Sequence, residues 1–550
     1  MLGDSDIKHN ISLLFNHGKN KNKTVRGNQA FIMVPRERRY MKIAIVGSGI
    51  GGLIAAAYLA TNDHDIHIFE QYHRLGGVLA PYENDGYKWD LGQLLIEGMA
   101  PGEPTGDVLQ EIGVFKKGFS VMKDDRRYVF PDFLIDKPEE YQGPKWRIEK
   151  LKEIFPEDAK GLDKYYKYYT RLIELLTIGY RMGRSAGLKA FLWKMLLYAK
   201  LLPLIPKSKW SAEKMMNYFF TSKKLQCVFI SILADFFTEP SKFQGLGVFA
   251  LNPEPSFDKR MPAHLNRFAQ QYYFYSIPGG ISMMVDALEK VITDSGGTIH
   301  LNSLVTQIHV KDNIATGITV NETDNLDFDL IIANGGAKEI FYDVVGREYL
   351  TAEFIAHLDT LSLMDGVFMV HLGLDYDPSS ITGGVCTYYY NTYDFEDGIL
   401  LAKSGLYHGG KEGFVTHIPT THTPSMAPAN HSALTVYTIC PDTLQEGSWE
   451  NVKEKYTDVL LAYLEEKIPG ISKHIVLRSV MTPDDFKQRL HSKHFAFGGL
   501  APETGKMGIP FKTCIENLYY VGAQSQTGGG VNRIITETAS LTKKLLKKLS

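Results

Sequence analysis

Short apolar runs that end in glycine turns recur along this chain, and they predict strands buried inside a sheet. The first run, residues 43–46, leads into the turn "GSGIGG" and then into an apolar stretch at 53–60 that predicts a helix. A further apolar run at 66–69 ends in Glu70. Continuous apolar runs, in contrast to alternating ones, are typical of strands covered on both faces. The pattern therefore predicts a strand, a helix and a second strand of one parallel sheet.

Later segments repeat this arrangement. Residues 275–310 predict a loop, a helix and a strand, and the apolar run at 327–336 predicts another buried strand that ends in a glycine turn. Near the C-terminus, the run 518–521 leads through glycines to a helix that begins at about Val531. A strand, a glycine turn and a helix in succession form a recurring site for phosphates and other anions. Both ends of the chain therefore predict such a site.

The first turn has the residue types that a dinucleotide requires. Gly47 permits a tight turn, Gly49 removes a Cβ from the path of a pyrophosphate, and Gly52 lets the helix pack closely on the strand. The helix N-terminus offers free N–H groups to the phosphate. Glu70, 23 residues after Gly47, can accept hydrogen bonds from a ribose hydroxyl at the end of the second strand. The order of these features predicts a nucleotide-binding unit.

The segment that begins at Glu70, "EQYHRLGG", resembles the flavoproteins of the amine oxidase and phytoene desaturase superfamily. This resemblance implies that the cofactor is FAD. It also implies that Arg74 and the backbone of Gly76 and Gly77 lie along the FAD diphosphate. The family usually has Arg or Lys after the paired glycines, where this chain has Val78.

The C-terminal segment narrows the resemblance. "GAQSQTGGGV", residues 522–531, is similar to the closing signature of phytoene desaturases, carotenoid isomerases and retinol saturases, with Gln526 and Thr527 in place of the usual His-Pro. Val305 matches the family strand whose backbone holds the adenine, and a helix N-terminus at Val531 would stabilise negative charge on a reduced flavin. The residues thus assigned to the cofactor are Gly47, Ser48, Gly49, Ile50, Gly51, Gly52, Glu70, Arg74, Leu75, Gly76, Gly77, Val305, Gly522, Gly530 and Val531.

The resemblance implies a phytoene-desaturase-like, FAD-dependent oxidoreductase that acts on carbon–carbon bonds of a long isoprenoid or carotenoid-type lipid, with hydride transfer to flavin N5. The sequence shows no second GxGxxG on a predicted strand, and its four cysteines form no CxxC. We therefore expect the flavin to be the only redox group and to meet the substrate directly. Oxygen and a quinone both stay open as the electron acceptor, and the sequence does not identify a catalytic acid or base.

Other functions stay open as alternatives. The same pocket with reduced flavin would isomerise or saturate a double bond, and flavin amine oxidases have the same fold. A different class is the prenyl-lipid escort proteins, which resemble this fold and use no flavin. An escort would be free to lose "RLGG" and the C-terminal glycines, and both motifs are intact here.

Charge and composition bear on partners and location. The 550 residues carry a formal net charge of −2, which gives no general attraction to nucleic acid. His417, His422 and His431 lie in one polar loop without the acidic or cysteine partners that zinc would need, so we predict no metal site. The scattered cysteines favour a reducing compartment, and we predict a cytoplasmic protein.

Contact with a membrane is a separate question. No run of 18 uncharged apolar residues occurs, so we predict no transmembrane helix. Residues 186–206 form an apolar stretch interrupted by Lys189, Lys194 and Lys200. This stretch predicts either an ordinary domain helix or a helix that lies in a membrane interface, so peripheral membrane contact stays open.

These patterns together predict an α/β fold with two parts. The first is a discontinuous, doubly wound, Rossmann-like FAD-binding domain, and the second is an inserted mixed α+β substrate domain, helical and membrane-associating. The predicted boundaries are 41–130, 270–345 and 495–550 for the FAD-binding domain, 131–269 and 346–494 for the substrate domain, and 1–40 for a basic, disordered extension.

Overall fold

The structure is a computed structural model that describes residues 40–549. The predicted extension at 1–40 lies outside the described residues except for Tyr40. The strands are β1 (Lys42–Val46), β2 (Asp65–Phe69), β3 (Tyr82–Asn84), β4 (Tyr87–Trp89), β5 (Ile96–Glu97), β6 (Met122–Asp124), β7 (Arg126–Val129), β8 (Leu134–Ile135), β9 (His264–Asn266), β10 (Ala269–Gln270), β11 (Phe274–Ser276), β12 (Thr298–His300), β13 (Val305–Lys311), β14 (Ile314–Val320), β15 (Asp324–Asp327), β16 (Leu330–Asn334), β17 (Gly366–Leu374), β18 (Cys386–Tyr390), β19 (Gly413–His417), β20 (Ser432–Cys440), β21 (Ile475–Met481) and β22 (Leu518–Val521).

Helices connect and cover these strands. The α-helices are α1 (Ile50–Ala60), α2 (Pro104–Glu111), α3 (Trp146–Ile154), α4 (Ala159–Gly183), α5 (Gly187–Leu201), α6 (Ala212–Phe219), α7 (Lys223–Ile230), α8 (Gly247–Leu251), α9 (Ser282–Asp294), α10 (Ala352–Asp359), α11 (Ser379–Thr382), α12 (Glu396–Lys403), α13 (Trp449–Lys467), α14 (Pro483–Leu490) and α15 (Val531–Leu549). Within residues 40–549, no helix combines the length and apolar character needed to cross a bilayer.

The predicted parallel sheet is present in the described part of the chain. Its strands follow the order β12, β2, β1, β16, β22, and each neighbouring pair is parallel. The first apolar run of the sequence is β1 at the centre, where Ile43 lies opposite Ile66 on one side and Leu330 on the other. The chain winds from β1 to one edge and then returns to build the other edge, which is the doubly wound arrangement. The predicted fold class is confirmed.

Both faces of this sheet are covered, which explains its continuous apolar runs. Ile43 and Ile45 point to one face and pack in the same cluster as α1, every residue of which is buried. Ala44 and Val46 point to the opposite face and pack in a cluster with residues of β13 and β14. Alternate residues of a strand face opposite sides, so a strand covered twice needs apolar residues throughout.

A second, mixed sheet stands apart from the first. In the described residues its order is β21, β17, β20, β19, β18, β7, β8, and its neighbours are antiparallel except for β18 and β7. Strand β7 begins at Arg126, before the predicted domain boundary at 131, and it pairs along its length with β18. The division into domains stays a prediction, and this pairing favours a first boundary that lies before Arg126.

Candidate functional site

A cavity of about 1930 Å³ lies between the carboxyl ends of the parallel strands and the mixed sheet. Its lining includes the last residues of β1, β2 and β16, which are Val46, Phe69 and Asn334, and Gly522, which directly follows β22. Ligands of open α/β sheets bind outside the carboxyl ends of the strands, where the direction of winding reverses. The cavity therefore occupies the place that the topology reserves for a dinucleotide.

The turn after β1 is shaped by contact with Asn334. Gly47 has a φ of +86°, and a Cβ on it would lie 2.2 Å from the backbone oxygen of Asn334. A Cβ on Gly49 would meet the Asn334 amide nitrogen at 2.6 Å, before any ligand is considered. A Cβ on Gly52 would lie 2.4 Å from the oxygen of Gly47, which is the close helix packing expected from the sequence. The positions of these glycines therefore follow from close contacts within the protein as well as from the ligand.

The N-terminus of α1 opens into the cavity. Gly49 is its N-cap and contributes no side-chain cap, so the N–H groups of the first turn are not covered by a capping side chain. Gly49, Ile50 and Gly51 line the cavity at this point. Exposed N–H groups at the positive end of a helix dipole fit the diphosphate of FAD.

Glu70 and Ser48 join the turn to the next segment. The buried Glu70 carboxylate accepts hydrogen bonds from the Ser48 backbone at 2.9 Å, from the Ser48 hydroxyl at 2.5 Å and from the Tyr72 backbone at 2.8 Å. The Gly76 N–H donates to the Ser48 hydroxyl at 3.1 Å. Glu70 also lines the cavity, where it is placed to accept a hydrogen bond from a ribose.

Arg74, which the resemblance places along the FAD diphosphate, is not among the residues that line the cavity. Its guanidinium is about half exposed, pairs with Glu83 at 3.4 Å and does not line the cavity. Leu75 is buried in the core and does not line the cavity either. Gly52 also lies behind the lining, where it serves helix packing. The remaining twelve assigned residues line the cavity, and their contact with FAD remains a proposal: Gly47, Ser48, Gly49, Ile50, Gly51, Glu70, Gly76, Gly77, Val305, Gly522, Gly530 and Val531.

Arg489 is a cavity residue that the sequence did not reveal. Its side chain reaches the loop after the paired glycines, where Nη2 donates to the backbone oxygens of Ala80 at 2.9 Å and Pro81 at 3.1 Å. Its guanidinium lies 5.0 Å from the ring centre of Tyr72, and its Nε finds no partner in the described part of the chain. Burial lowers the pKa of Arg489. This guanidinium supplies a positive charge close to where the family has Arg or Lys and this chain has Val78.

The C-terminal glycines close the other side of the site. Gly522 has a φ of +106°, and a Cβ on it would lie 2.3 Å from the Asn334 side-chain oxygen. A Cβ on Gly529 would lie 2.0 Å from the oxygen of Gly498. The Val531 N–H at the start of α15 donates to the Gln93 side chain at 2.9 Å. Asn334 therefore lies between the two glycine turns, so the ends of β1, β16 and β22 form one rigid cradle.

Within residues 40–549, no group of three or more His, Cys, Asp or Glu side chains is placed to bind a metal ion. His422 instead contacts the buried Asp124 at 3.0 Å, and the hydroxyl of Ser276 donates to the same carboxylate. Hydrogen bonds from these partners lower the pKa of Asp124 against the opposing effect of its burial.

Comparisons with known proteins agree with this geometry. Residues 50–339, more than half of the chain, match the family of flavin containing amine oxidoreductases. The 4,4'-diaponeurosporene oxygenase of Staphylococcus aureus is 24% identical over 89% of this chain and 95% of its own length. The 4,4'-diapophytoene desaturase (4,4'-diapolycopene-forming) of Methylomonas is 25% identical over 92% of this chain and 95% of its own length.

Solved structures support the fold alone. An oxidoreductase from Methanosarcina mazei superposes with a TM-score of 0.60 at 19% identity, over 92% of this chain and 100% of that one. Cyclohexylamine oxidase from Brevibacterium oxydans gives a TM-score of 0.54 at 12% identity, over 93% and 100%. The family match confirms the predicted cofactor, FAD, which the uncapped helix and the glycine cradle fit. This chain belongs to the family of flavin-containing amine oxidoreductases.

Proposed function

We propose that this FAD-dependent oxidoreductase acts on carbon–carbon bonds of a long isoprenoid or carotenoid-type lipid, as a phytoene-desaturase-like enzyme. The observation that carries the proposal is the continuity of the cavity, which runs from the glycine turn after β1 to a second compartment against the mixed sheet. Two of its relatives are named for action on 4,4'-diaponeurosporene and 4,4'-diapophytoene, which supports a substrate of this class.

The second compartment has walls suited to a hydrocarbon. Its lining is rich in large apolar side chains, which include Ile232, Phe236, Phe243, Phe274, Met364 and Phe497. Burial of apolar surface contributes about 25 cal/mol per Å², so a long chain gains most of its affinity from such walls. The same walls exclude water from the reacting carbons and restrict the chain to a few orientations.

When bound, FAD would be the oxidant and would accept a hydride from the substrate. The protein contributes position and electrostatics. The N-terminus of α15 presents its positive dipole end to the cavity through Gly530 and Val531, and Gln93 fixes this end through its bond to the Val531 N–H. Arg489 adds a buried positive charge near the glycines at 76–77.

The anaerobic visible spectrum of the purified holoprotein tests this function. Addition of phytoene in liposomes should bleach the flavin band, because the lipid reduces the flavin. A flavin-free Gly47→Ala preparation is the control for spectral changes that the liposomes cause. An unchanged band would contradict desaturation and favour the isomerase or saturase alternative, and bleaching by an alkyl amine alone would favour an amine oxidase. A folded protein that never binds flavin would favour the escort alternative.

Oxygen or a quinone is proposed as the acceptor that restores the oxidised flavin. After bleaching, the return of the flavin band should be timed with dissolved oxygen and, separately, with a soluble quinone under anaerobic conditions. The faster reoxidant identifies the acceptor, and no return with either would exclude both.

Peripheral membrane contact is proposed through helix α5 and the turn that follows it. Leu188, Phe191 and Leu192 are 74%, 56% and 59% exposed, which is unusual for large apolar side chains on one helix. The segment continues through Leu202–Lys207 to Ser208 and Lys209, which line the cavity. A helix that rests in the membrane interface at this point would deliver a lipid from the bilayer to the cavity.

The lysines of α5 divide between two roles. Lys200 donates to Glu174 at 2.7 Å and therefore holds α5 against α4. Lys189 is exposed, as is Lys209 beyond the helix, so both can reach anionic headgroups. Lys200 therefore bonds to the protein, whereas Leu188, Phe191 and Leu192 leave an apolar surface of α5 exposed.

Vesicle flotation tests the membrane contact. The wild-type protein should float with phosphatidylcholine vesicles that contain phosphatidylglycerol, and a triple Leu188→Ser, Phe191→Ser, Leu192→Ser variant should remain at the bottom of the gradient. A matched control replaces three exposed apolar residues outside α5, Ile381→Ser, Leu400→Ser and Val476→Ser. Equal flotation of the two triple variants would contradict a contact through α5.

A further inference from the structure

One part of the cavity wall holds a group of polar side chains, which we name the polar end: Glu97, Arg126, Asp235, Cys386, Tyr388 and Tyr437. Three strands of the mixed sheet bring four of them to one face. Arg126 on β7 lies opposite Cys386 on β18, and Tyr388 and Tyr437 both lie opposite Val415 of β19. Because these pairs share one face of the sheet, their side chains point into the same part of the cavity.

Arg126 is the charged centre of the polar end. It is 7% exposed, and its Nη2 donates to the backbone oxygen of Leu251 at 2.6 Å. Its Nε finds no hydrogen-bond partner in the described residues. The rings of Phe274 and Tyr388 lie 5.3 Å and 5.8 Å from the guanidinium carbon, so the group is surrounded by aromatic surface. A buried guanidinium with an unused donor costs free energy unless a ligand or water satisfies it.

Two carboxyl groups face the same space. Asp235 lies in the 3-10 helix Ser231–Phe236 and accepts a hydrogen bond from the Tyr437 hydroxyl at 3.2 Å. Glu97 is the last residue of β5 and lines the same cavity. Burial raises the pKa of Asp235 to about 7 and the pKa of Glu97 to about 7, and the nearby Arg126 opposes both shifts. Both carboxyl groups therefore line the same cavity as Arg126 and lie near enough for its positive charge to oppose the rise in their pKa values.

A pure hydrocarbon cannot satisfy this arrangement. It would remove water from the guanidinium and the carboxyl groups without replacing a single hydrogen bond, and each buried group left without a partner costs about 1–3 kcal/mol. A hydroxyl group can accept from Arg126 and donate to Asp235 at the same time. An ammonium group could donate to Asp235 or Glu97 but has no acceptor for Arg126, so it would leave the guanidinium donor unsatisfied.

We infer that the polar end binds an oxygen-bearing end of the substrate, so that the cavity prefers an isoprenoid chain that carries a terminal hydroxyl or carbonyl group over the plain hydrocarbon. This inference rests on the proposed function, because it takes the apolar compartment to hold an isoprenoid. It adds the chemical class of one end of the chain and names Arg126 and Asp235 as the residues that select it.

Binding of two ligands with one carbon skeleton tests the inference. The probes are geranylgeraniol and the tetraene hydrocarbon that lacks its hydroxyl, and the dissociation constant of each is measured with the oxidised holoprotein in one fixed detergent. Arg126→Met should weaken the alcohol by about tenfold or more and leave the hydrocarbon unchanged or tighter, because hydrogen bonds to charged groups contribute about 1.5–3 kcal/mol. Ratios between variant and wild type cancel the different partition of the two ligands into micelles.

Arg127→Met is the matched control. Arg127 is the next residue on β7 and points to the opposite face, where it donates to Asp136 at 3.2 Å and to the oxygen of Ile381 at 3.3 Å. This variant should leave both dissociation constants at the wild-type values. Asp235→Leu nearly keeps the side-chain size and should also remove the preference for the alcohol. It is an independent test if Arg126→Met does not fold.

The outcomes separate the inference from the proposed function. An equal loss of both ligands in Arg126→Met and Asp235→Leu, or no loss of either ligand, would overturn the polar end as a selective site. In that case phytoene would still bleach the flavin, and the proposed function would stand. Failure of the wild-type protein to bind either ligand would overturn the inference together with the isoprenoid function.

Discussion

Gly47→Ala should release the flavin, and Gly113→Ala should not. Both glycines have nearly the same left-handed backbone, with φ of +86° and +87°. An alanine in this region costs about 1–2 kcal/mol of backbone strain at either position. The surroundings differ, because a Cβ on Gly113 would meet no atom of residues 40–549 within 4 Å, whereas a Cβ on Gly47 would lie 2.2 Å from the oxygen of Asn334. The pair therefore separates backbone strain from close packing.

The contact at Gly47 cannot be relieved by a side-chain rotation, because the atom that the Cβ meets belongs to the backbone of β16. The turn must move away from Asn334 by about 1 Å to restore an ordinary contact, and such overpacking costs about 1–3 kcal/mol beyond the strain. We therefore expect a total loss of about 2–5 kcal/mol for Gly47→Ala against about 1–2 kcal/mol for Gly113→Ala. The displaced turn also opens the cradle between β1, β16 and β22.

Urea denaturation followed by circular dichroism measures the stability of both variants, and the ratio of absorbance at 450 nm to that at 280 nm measures their flavin content. Gly113→Ala should keep the wild-type flavin content with a small decrease in the denaturation midpoint. Gly47→Ala should show a larger decrease and purify without flavin. Equal midpoints and equal flavin content in the two variants would refute the role of the Asn334 contact.

Three further predictions concern single residues of the cavity. Gly49→Val should purify without flavin, because its Cβ would lie 2.6 Å from the Asn334 amide in the wall of the cavity; full flavin occupancy would contradict the assignment of this turn. Arg489→Met should raise the flavin dissociation constant more than Arg74→Met, because only Arg489 lines the cavity, and the reverse order would contradict its placement. Burial raises the pKa of Asp235 to about 7, so ionisation of this side chain opposes folding as pH rises from about 4 to 7. Asp235→Asn removes that cost and should become more stable relative to the wild-type protein over this range. Urea midpoints that differ by the same amount at pH 4 and pH 8 would contradict this expectation.

The parallel sheet and its glycine turn could be predicted because their determinants are local in sequence. The apolar run of β1, the glycines at 47 to 52 and the acid at Glu70 follow one another within 30 residues, and each has a fixed place in a strand–turn–helix–strand unit. Asn334 lies outside this local unit, at the end of β16. Its central contact with both glycine turns depends on the pairing of β1, β16 and β22, which brings together residues almost 300 positions apart.

Side-chain direction set a second limit on prediction. A pattern of the form RxGG places an arginine beside the cofactor in sequence, but the direction of its guanidinium depends on neighbours that the pattern does not contain. In this chain Glu83 holds Arg74 toward solvent, and Arg489 approaches the same loop from α14, more than 400 residues later. Burial and hydrogen bonds to the backbone oxygens of Ala80 and Pro81 hold the Arg489 side chain in place. No motif in the sequence predicts these contacts.

The polar end shows why the chemistry of the substrate was the hardest feature to predict. Its residues come from β5, β7, the 3-10 helix Ser231–Phe236, β18 and β20, and none of them belongs to a motif. The sequence of β18, "CTYYY", does not reveal which tyrosine faces the cavity, because tyrosines occupy both faces of the strand. Only the pairing of Arg126 with Cys386 decides that Tyr388 shares the face of Arg126, while Tyr389 packs with Phe414 on the other side. A cofactor site built on one local turn leaves a signature in sequence, whereas a site that selects one end of a lipid is assembled by the tertiary fold.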